Sequence, residues 1–256
     1  MARAFGRAAN VPRNVEILPG FHRLAEGSCL YRAEGTVVLC TASVEASVPG
    51  FLVGKGKGWL TAEYQMHPRA NPQRRESRDG RGKAPSGRTQ EIQRLVGRAL
   101  RAAVDLTALG ERTIAIDCDV LEADGGTRTA SITGGFVALA LALWKLRERG
   151  ELSRNVLVDQ VAAISVGHVH GELLLDLAYT EDSAARVDLN LVGTAKGEVV
   201  EVQGTAEGRA VPRADVDAMV ELGFEGIRRL AVLQSVVLSS AGVNLAELLA
   251  PASEGA

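Results

Sequence analysis

The chain has 256 residues, of which 46% are hydrophobic and 23% are charged, and its formal net charge is −2. A chain of this length buries a large core without disulfide bonds, and this composition excludes a disordered or a fibrous protein. The nearly neutral total charge also provides no overall electrostatic field that would attract nucleic acid.

β-Strands dominate the predicted first third of the chain. Apolar patterns predict strands at 28–32, 36–44 and 59–66, the first two joined by a short turn that contains Gly35. Residues 67–86 are rich in Arg, Pro, Gly and Ser and lack hydrophobic periodicity, which predicts a long exposed loop. Over residues 89–104 apolar residues recur at helical spacing, so we expect an amphipathic helix with arginines on its outer face.

Similar elements follow in the rest of the chain. Residues 113–121 alternate as a half-buried strand does, and residues 131–149 predict a long apolar helix. Strands are predicted at 161–168, 173–179, 186–192 and 199–205, followed by a helix from 213 to about 239 with a break near Gly223. Two halves with the same β-then-helix order suggest a duplicated α/β (α+β) fold. We expect residues 1–244 to form a single domain and residues 245–256 to fray.

Compartment and redox state are predicted from segments that the sequence lacks. Its longest apolar run, residues 136–144, is shorter than the ~20 residues that cross a bilayer, and the N-terminus has no signal-peptide pattern. The three cysteines lie far apart in apolar stretches, unlike a disulfide framework or a metal motif. We therefore expect a cytoplasmic protein with buried, reduced thiols at Cys29, Cys40 and Cys118.

Positive charge is concentrated in one segment. Residues 67–101 hold ten basic and three acidic residues, a net charge of +7, whereas the rest of the chain has a net charge of −9. Nine of the ten basic residues are arginines, whose planar guanidinium groups bind phosphate with two hydrogen bonds. The segment therefore favours a polyphosphate partner, and a solubilising loop is the alternative. Only 4% of all residues are aromatic, which favours contacts with a nucleic-acid backbone over base stacking.

A glycine-rich turn follows the strand predicted at 113–121. The run Asp124-Gly-Gly-Thr-Arg-Thr-Ala-Ser131 places two glycines between a strand and a helix, so that the backbone can approach an anion at the helix N-terminus. Thr127, Arg128 and Ser131 are candidates for additional hydroxyl and guanidinium donors. An ordinary turn with a helix cap is the alternative, although it leaves the arginine unexplained. The sequence lacks the pattern of a nucleotide-triphosphate P-loop.

The third pattern is acidic. Over residues 187–191 apolar residues alternate with Asp188 and Asn190, so these two project from one face of a strand, and Asp182 lies in the preceding turn. Two carboxylates and an amide are oxygen ligands that suit Mg²⁺ together with phosphate, and carboxylates that cap their own turns are the alternative. No Ser-His-Asp or Cys-His grouping is recognisable, so we expect catalysis by positioning and charge.

Together these patterns are typical of phosphoryl or nucleotidyl transfer on a polyanion. They also carry a resemblance over about residues 3–240, through motifs that occur in this order: Trp59-Leu-Thr-Ala-Glu-Tyr, Gly87-Arg-Thr-Gln-Glu-Ile-Gln-Arg-Leu, Asp117-Cys-Asp-Val-Leu-Glu-Ala-Asp-Gly-Gly-Thr-Arg-Thr-Ala-Ser-Ile-Thr-Gly, Glu181-Asp-Ser, Asp188-Leu-Asn and Glu201-Val-Gln-Gly-Thr-Ala-Glu-Gly. The chain resembles the ribonuclease PH family of phosphate-dependent tRNA nucleotidyltransferases.

The resemblance implies a fold, an assembly and a reaction. The fold is the duplicated β-α type of the second domain of ribosomal protein S5, and the assembly is a homohexameric ring, a trimer of dimers. In the implied reaction, inorganic phosphate attacks the last 3′ phosphodiester bond of a tRNA precursor beyond its CCA end and releases a nucleoside diphosphate. The reaction is reversible, so the same site adds nucleotides, and other structured RNAs are further candidate substrates.

The resemblance also implies site residues. Arg88 matches the family's phosphate-binding arginine, and its phosphate-binding turn matches Gly126, Thr127 and Arg128. Asp182 and Asp188 match an acidic pair that holds a divalent metal, Mg²⁺ or another ion, and assists catalysis in related polynucleotide phosphorylases; Asn190 stands where those enzymes have a lysine. The loop that faces RNA in the family contains Arg69, Arg74, Arg75 and Arg78.

The N-terminus departs from the family's pattern. The family usually reads Arg-x-Asp-Gly-Arg and then Leu-Arg-Pro, whereas here Phe5 precedes Gly6-Arg7 and Val11-Pro12-Arg13 follows. This departure affects the N-terminal contacts and not the motifs of the site. The alternative function is a non-catalytic RNA-binding ring subunit of an exosome-like assembly, but such subunits tend to lose the acidic pair or the phosphate-binding arginines, and this chain has both.

Overall fold

The structure is a computed structural model that describes residues 3–71, 73, 75 and 84–250. Its first sheet has five strands in the order β1-β2-β3-β5-β4, with β4 parallel to β5 and the other neighbours antiparallel. These strands are β1 (Val15–Pro19), β2 (Gly27–Ala33), β3 (Thr36–Glu45), β4 (Trp59–Met66) and β5 (Thr113–Glu122).

The second sheet is antiparallel throughout and has the order β7-β6-β8-β9. Its strands are β6 (Val161–Val169), β7 (Glu172–Leu175), β8 (Val187–Thr194) and β9 (Val199–Ala206). The α-helices are α1 (Gly87–Ala102), α2 (Leu106–Leu109), α3 (Thr127–Glu148), α4 (Tyr179–Asp182) and α5 (Arg213–Ser240). The mixed α/β fold expected from the sequence is confirmed.

Alternation along β6 explains how the layers are stacked. Val161 and Ala163 join the hydrophobic core that α1 and α3 share with the first sheet, whereas Ala162, Ile164 and Val166 pack in a second core against α5. Because successive side chains of a strand point to opposite faces, β6 is buried on both sides. The order of layers is therefore the first sheet, α1 with α3, the second sheet, and α5.

Helix α3 is the central element of this arrangement. It packs against β2, β3 and β6, and its residues are apolar nearly all round, as in a helix buried in a core. In the part of the chain that the structure describes, α3 is the one helix long and apolar enough to cross a membrane, and 83% of its most apolar stretch is buried inside the protein. The three cysteines lie side by side on β2, β3 and β5, facing α3, and are buried and unpaired as predicted.

Two predicted helices differ from the observed ones. α3 begins at Thr127 and not at residue 131, because Gly126 adopts a left-handed conformation (φ +64°) as its N-cap and the Thr-Arg-Thr-Ala run forms the first turn. α5 is continuous through Gly223, so the predicted break is wrong. Gly223 serves close packing instead: a Cβ there would lie 2.7 Å from Leu191 Cδ2 on β8.

Other boundaries also differ. β1 and α2 were not predicted. The strand predicted at 173–179 ends at Leu175, and Tyr179 is the first residue of α4. Residues 245–250, expected to fray, are packed: Leu248 is 1% exposed and its carbonyl oxygen accepts the N–H groups of Val156 and Leu157 at 2.9 and 2.8 Å. Residues 251–256 lie outside the described part of the chain.

Candidate active site

The turn that precedes α3 requires its two glycines. Gly125 and Gly126 have φ angles of +76° and +64°, a region that residues with a Cβ rarely adopt. A Cβ on Gly125 would also lie 2.6 Å from the carbonyl oxygen of Leu177. No side chain caps the N-terminus of α3 and no acidic residue lies in its first turn, whereas Ser86 caps α1 by accepting the N–H of Thr89. The first N–H groups of α3 and the positive end of its dipole are thus suited to an anion.

Hydroxyl groups of the first turn of α3 have distinct partners. The hydroxyl of Thr127 lies 2.9 Å from that of Tyr64 on β4, and burial raises the pKa of Tyr64, which keeps its hydroxyl neutral. Thr129 donates to the carbonyl oxygen of Gly126 at 2.9 Å. Ser131 is fully buried and donates to the carbonyl oxygen of Thr127 at 2.9 Å. The interpretation of Ser131 as an anion donor is therefore wrong, because its hydroxyl lies inside the core one turn below the site.

Arg128 extends from this turn towards the second sheet. Its Nη1 lies 3.1 Å from Gln203 Oε1 on β9 and 3.4 Å from Glu91 Oε1 on α1. Gln203 Nε2 donates in turn to Glu91 Oε1 at 3.2 Å and to Glu201 Oε1 at 3.1 Å, and Arg98 forms two hydrogen bonds with Glu201 at 2.7 and 3.0 Å. α1, α3 and β9 are thus connected by one polar network.

The acidic pair lies on the same side of the second sheet. Val187, Leu189 and Leu191 of β8 pack towards α5, so Asp188 and Asn190 face the layer of α1 and α3. Asp182, the last residue of α4, is half-buried like Asp188. Asn190 Nδ2 lies 3.3 Å from Asp188 Oδ2.

Electrostatic effects show that the predicted groups act on one another. The pKa of Asp188 is raised to about 6, mainly by burial and then by the nearby Asp182, although the guanidinium groups of Arg128 and Arg88 and the hydrogen bond from Asn190 oppose the shift. Burial also raises the pKa of Asp182, again opposed by Arg128 and Arg88. Arg88, the exposed second residue of α1, therefore lies close to the acidic pair. The structure brings together Arg88, Gly126, Thr127, Arg128, Asp182 and Asp188.

The arginines predicted to bind RNA are only partly described. Arg69 and Arg75 are exposed, and Arg69 lines a cavity with Asp124 and Tyr179 beside the glycine turn. Arg74 and Arg78 lie outside the described residues.

The acidic pair fits a magnesium ion that is shared with a substrate. Over residues 3–71, 73, 75 and 84–250, no group of three or more His, Cys, Asp or Glu side chains could hold a metal by itself. Mg²⁺ in phosphoryl-transfer sites is usually held by one or two carboxylates, and substrate phosphate and water complete its octahedron. Asp182 and Asp188 match that donor set.

Arginines and acidic residues behind the site were not predicted as part of it. Arg13 forms a buried ion pair with Asp176, 2.7 Å between Nη2 and Oδ1, and Glu181 pairs with both Arg3 and Arg7 at 3.2 Å. In the sequence, the N-terminal segment with these arginines was noted only because it departs from the family's pattern. Their partners lie more than 160 residues away, so spacing could not reveal them.

Comparisons with known proteins match both halves of the chain. Residues 12–144 match the family described as 3′ exoribonuclease family, domain 1, and residues 159–226 match domain 2 of that family. The single domain expected for residues 1–244 stays a prediction. Ribonuclease PH of Syntrophomonas wolfei subsp. wolfei is 52% identical over 238 residues, which cover 93% of this chain and 99% of that protein.

Solved structures share the fold at lower identity. A chain of the Archaeoglobus fulgidus exosome, solved with RNA bound to its active site, has a TM-score of 0.72 at 23% identity and covers 89% of this chain and 91% of its own length. Rice (Oryza sativa) Rrp46 has a TM-score of 0.74 at 18% identity, covering 92% of this chain and 100% of its own length.

Proposed function

The chain belongs to the ribonuclease PH family of 3′ exoribonucleases, and we propose that it trims the nucleotides that follow the CCA end of tRNA precursors. It is a phosphate-dependent exoribonuclease, a nucleotidyltransferase with inorganic phosphate as co-substrate. The observation that carries the proposal is that the uncapped N-terminus of α3, with Arg128 in its first turn, packs through Gly125 against the backbone that leads into α4 and Asp182.

We assign the nucleophile to the glycine turn. Hydrogen phosphate is held by the N–H groups at the start of α3 and by the guanidinium groups of Arg88 and Arg128. One of its oxygens attacks the phosphorus of the last phosphodiester bond in line with the leaving 3′ oxygen. The bond from phosphorus to that oxygen breaks, and the proton that hydrogen phosphate brings is taken up there, so the products are a nucleoside diphosphate and a shortened RNA with a free 3′ hydroxyl.

Charge is the main obstacle to this reaction, because a dianion must approach a phosphodiester anion. Two arginines and a helix N-terminus reduce the repulsion and hold the phosphate in line, which are the two contributions that proteins make to phosphoryl transfer. Arg128 is itself held by contacts of its Nη1 with Glu91 and Gln203.

The acidic pair is assigned to a metal. We propose that Asp182 and Asp188 hold Mg²⁺, which when bound offsets negative charge on the scissile phosphate. The hydrogen bond from Asn190 Nδ2 to Asp188 Oδ2 orients one carboxylate. Burial makes the two carboxylates costly to ionise, and a cation between them relieves that cost.

We further propose that the enzyme acts in the cytoplasm as a homohexamer, a trimer of dimers, with its arginine-rich segment against the tRNA backbone. The segment has a net charge of +7, and the two of its predicted contacts that the structure describes, Arg69 and Arg75, are exposed. Arginine-phosphate contacts of this kind fix the register of an RNA without reading its bases.

One assay tests the proposed function. A 3′-extended tRNA precursor is incubated with the protein with and without inorganic phosphate, and the released nucleotides are separated. We expect nucleoside diphosphates to be released only when phosphate is present. Release should stop when the RNA ends at CCA. Nucleoside monophosphates, or release independent of phosphate, would reject the mechanism, and RNA binding without any release would favour a non-catalytic ring subunit.

A further inference from the structure

Arg13 and Asp176 form an ion pair buried directly behind the glycine turn. They are 3% and 6% exposed. Arg13 Nη2 donates to Oδ1 of Asp176 at 2.7 Å, and its Nε and backbone N–H donate to Oδ2 at 3.0 and 2.8 Å. Asp176 has a φ of +59°, a conformation that is costly for a residue with a Cβ and that needs surrounding contacts to hold it.

The other side-chain contacts of Arg13 are with the turn and with Thr36. Arg13 Nη1 donates to the carbonyl oxygen of Asp124 at 2.7 Å and lies 3.4 Å from that of Gly125. The fully buried hydroxyl of Thr36 donates to the carbonyl oxygen of Gly125 at 2.7 Å and accepts the N–H of Asp124 at 3.0 Å and Nη1 of Arg13 at 3.2 Å. The two peptide units before Gly126 are thus held from behind.

The Arg13–Asp176 ion pair also holds the loop that leads to Asp182. Asp176 is six residues before Asp182, and Gly125 packs against the backbone between them, where its lack of a Cβ is required. The N–H of Tyr179 donates to Asp124 Oδ1 at 3.1 Å. The ion pair therefore lies where the turn from the first family domain meets the loop from the second.

We propose that Arg13, Asp176 and Thr36 are positioning residues that set the glycine turn for phosphate and fix its distance to Asp182. That the anion is phosphate rests on the proposed function. All three side chains are buried behind the turn, so they act through its backbone and not on substrate. A guanidinium is required, since its planar fork contacts Asp176 and the turn at once, and an ammonium group cannot do both.

Two variants separate geometry from charge. Arg13→Lys keeps the buried positive charge and loses the fork, and Thr36→Val removes one hydroxyl while leaving the ion pair intact. We expect Arg13→Lys to raise the KM for phosphate by roughly tenfold to a hundredfold, as small misplacements of a binding group do, and Thr36→Val to raise it less. The KM for tRNA and the affinity for tRNA stay unchanged in both. In calorimetric titration with inorganic phosphate alone, we expect Arg13→Lys to weaken phosphate binding more than Thr36→Val does.

Thr133→Val is the matched control. Thr133 is also fully buried on α3, but its hydroxyl bonds the backbone of Ala163 on β6, away from the turn. The proposal is overturned if Thr133→Val weakens phosphate binding as much as Thr36→Val, or if Arg13→Lys and Thr36→Val bind phosphate as the wild type does. Should Arg13→Lys not fold, the comparison of the two threonine variants decides.

The proposed function can be overturned independently of the positioning role. A wild-type protein that binds phosphate but releases no nucleoside diphosphate overturns the proposed function alone, because phosphate titration of the variants still tests the positioning role. A wild-type protein that binds no phosphate overturns both.

Discussion

The side-chain oxygen of Gln203 on β9 accepts a hydrogen bond of 3.1 Å from Nη1 of Arg128 in the first turn of α3. The contact joins the second sheet to the turn that follows the first sheet. Glu91 on α1 lies 3.4 Å from the same guanidinium nitrogen, so two neighbouring elements hold this arginine beside the helix N-terminus. An anion bound there meets an arginine whose position is already set, which lowers the ordering cost of binding.

Removing either phosphate-binding arginine should slow turnover steeply and spare tRNA binding. In Arg88→Ala and Arg128→Ala we expect phosphate-dependent release of nucleoside diphosphates to fall by roughly a hundredfold or more, as when a preorganised donor to a transition-state charge is lost. Filter binding of tRNA should be nearly unchanged. Arg228→Ala is the control, an exposed arginine on α5, on the other side of the second sheet. Turnover at the wild-type rate in Arg88→Ala would remove that residue from the mechanism.

The glycine turn should tolerate no side chain at Gly125. We expect Gly125→Ala to lower the free energy of unfolding by about 3 kcal/mol, because the left-handed backbone and a clash with the carbonyl of Leu177 act together. Gly54→Ala separates the two effects: its φ is +77° and no atom lies within 4 Å of the added Cβ, so about 1 kcal/mol is expected. Urea unfolding measures both, and equal losses would contradict the close approach.

Asp188 should lower stability at neutral pH. Its pKa is about 6 in the folded protein against 3.8 ordinarily, so the folded state holds a disfavoured charge above pH 6, and this cost disappears as pH falls from 6 towards 4. We expect Asp188→Asn to stabilise the protein by about 1–2 kcal/mol at pH 7.5, allowing for solvent screening, and to have little effect near pH 4. Thermal unfolding without metal at the two pH values checks the sign.

Magnesium should raise the melting temperature through the acidic pair. At a concentration about ten times its Kd, Mg²⁺ should stabilise the wild type by about 1.4 kcal/mol, and Asp182→Asn should lose this gain. Asp117→Asn is the control, since Asp117 and Asp119 form another acidic pair on the outer face of β5, where burial also raises the pKa of Asp117. A response lost equally in both variants would place the ion elsewhere.

Local patterns predicted most of the fold. Alternation in β5 and β8 and helical periodicity in α1 depend on side chains that are near in sequence, and these elements were placed within a few residues. β1 was missed because it is five residues long and ends in Pro19, a residue confined to edge strands and strand ends, and β1 is an edge strand. α4 was missed because one helical turn has no periodicity to detect.

The site was predictable where motifs are contiguous. The glycine turn and the acidic pair were found in this way, and the structure brings them together. Arg13 and Asp176 are 163 residues apart, and a buried arginine has no sequence signature that distinguishes it from an exposed one. Long-range pairing of this kind depends on the stacking of the two sheets, which no local pattern encodes.

The row of cysteines on β2, β3 and β5 can report local unfolding between the first sheet and α3. Each thiol is sealed between the first sheet and α3, so a thiol-alkylating reagent in native buffer can react only when that sheet separates from the helix. The alkylation rate therefore measures how often the first sheet separates from α3, the helix that begins at the glycine turn. Phosphate bound at the N-terminus of α3 should lower the alkylation rate, so this rate measures phosphate binding without RNA and without catalysis.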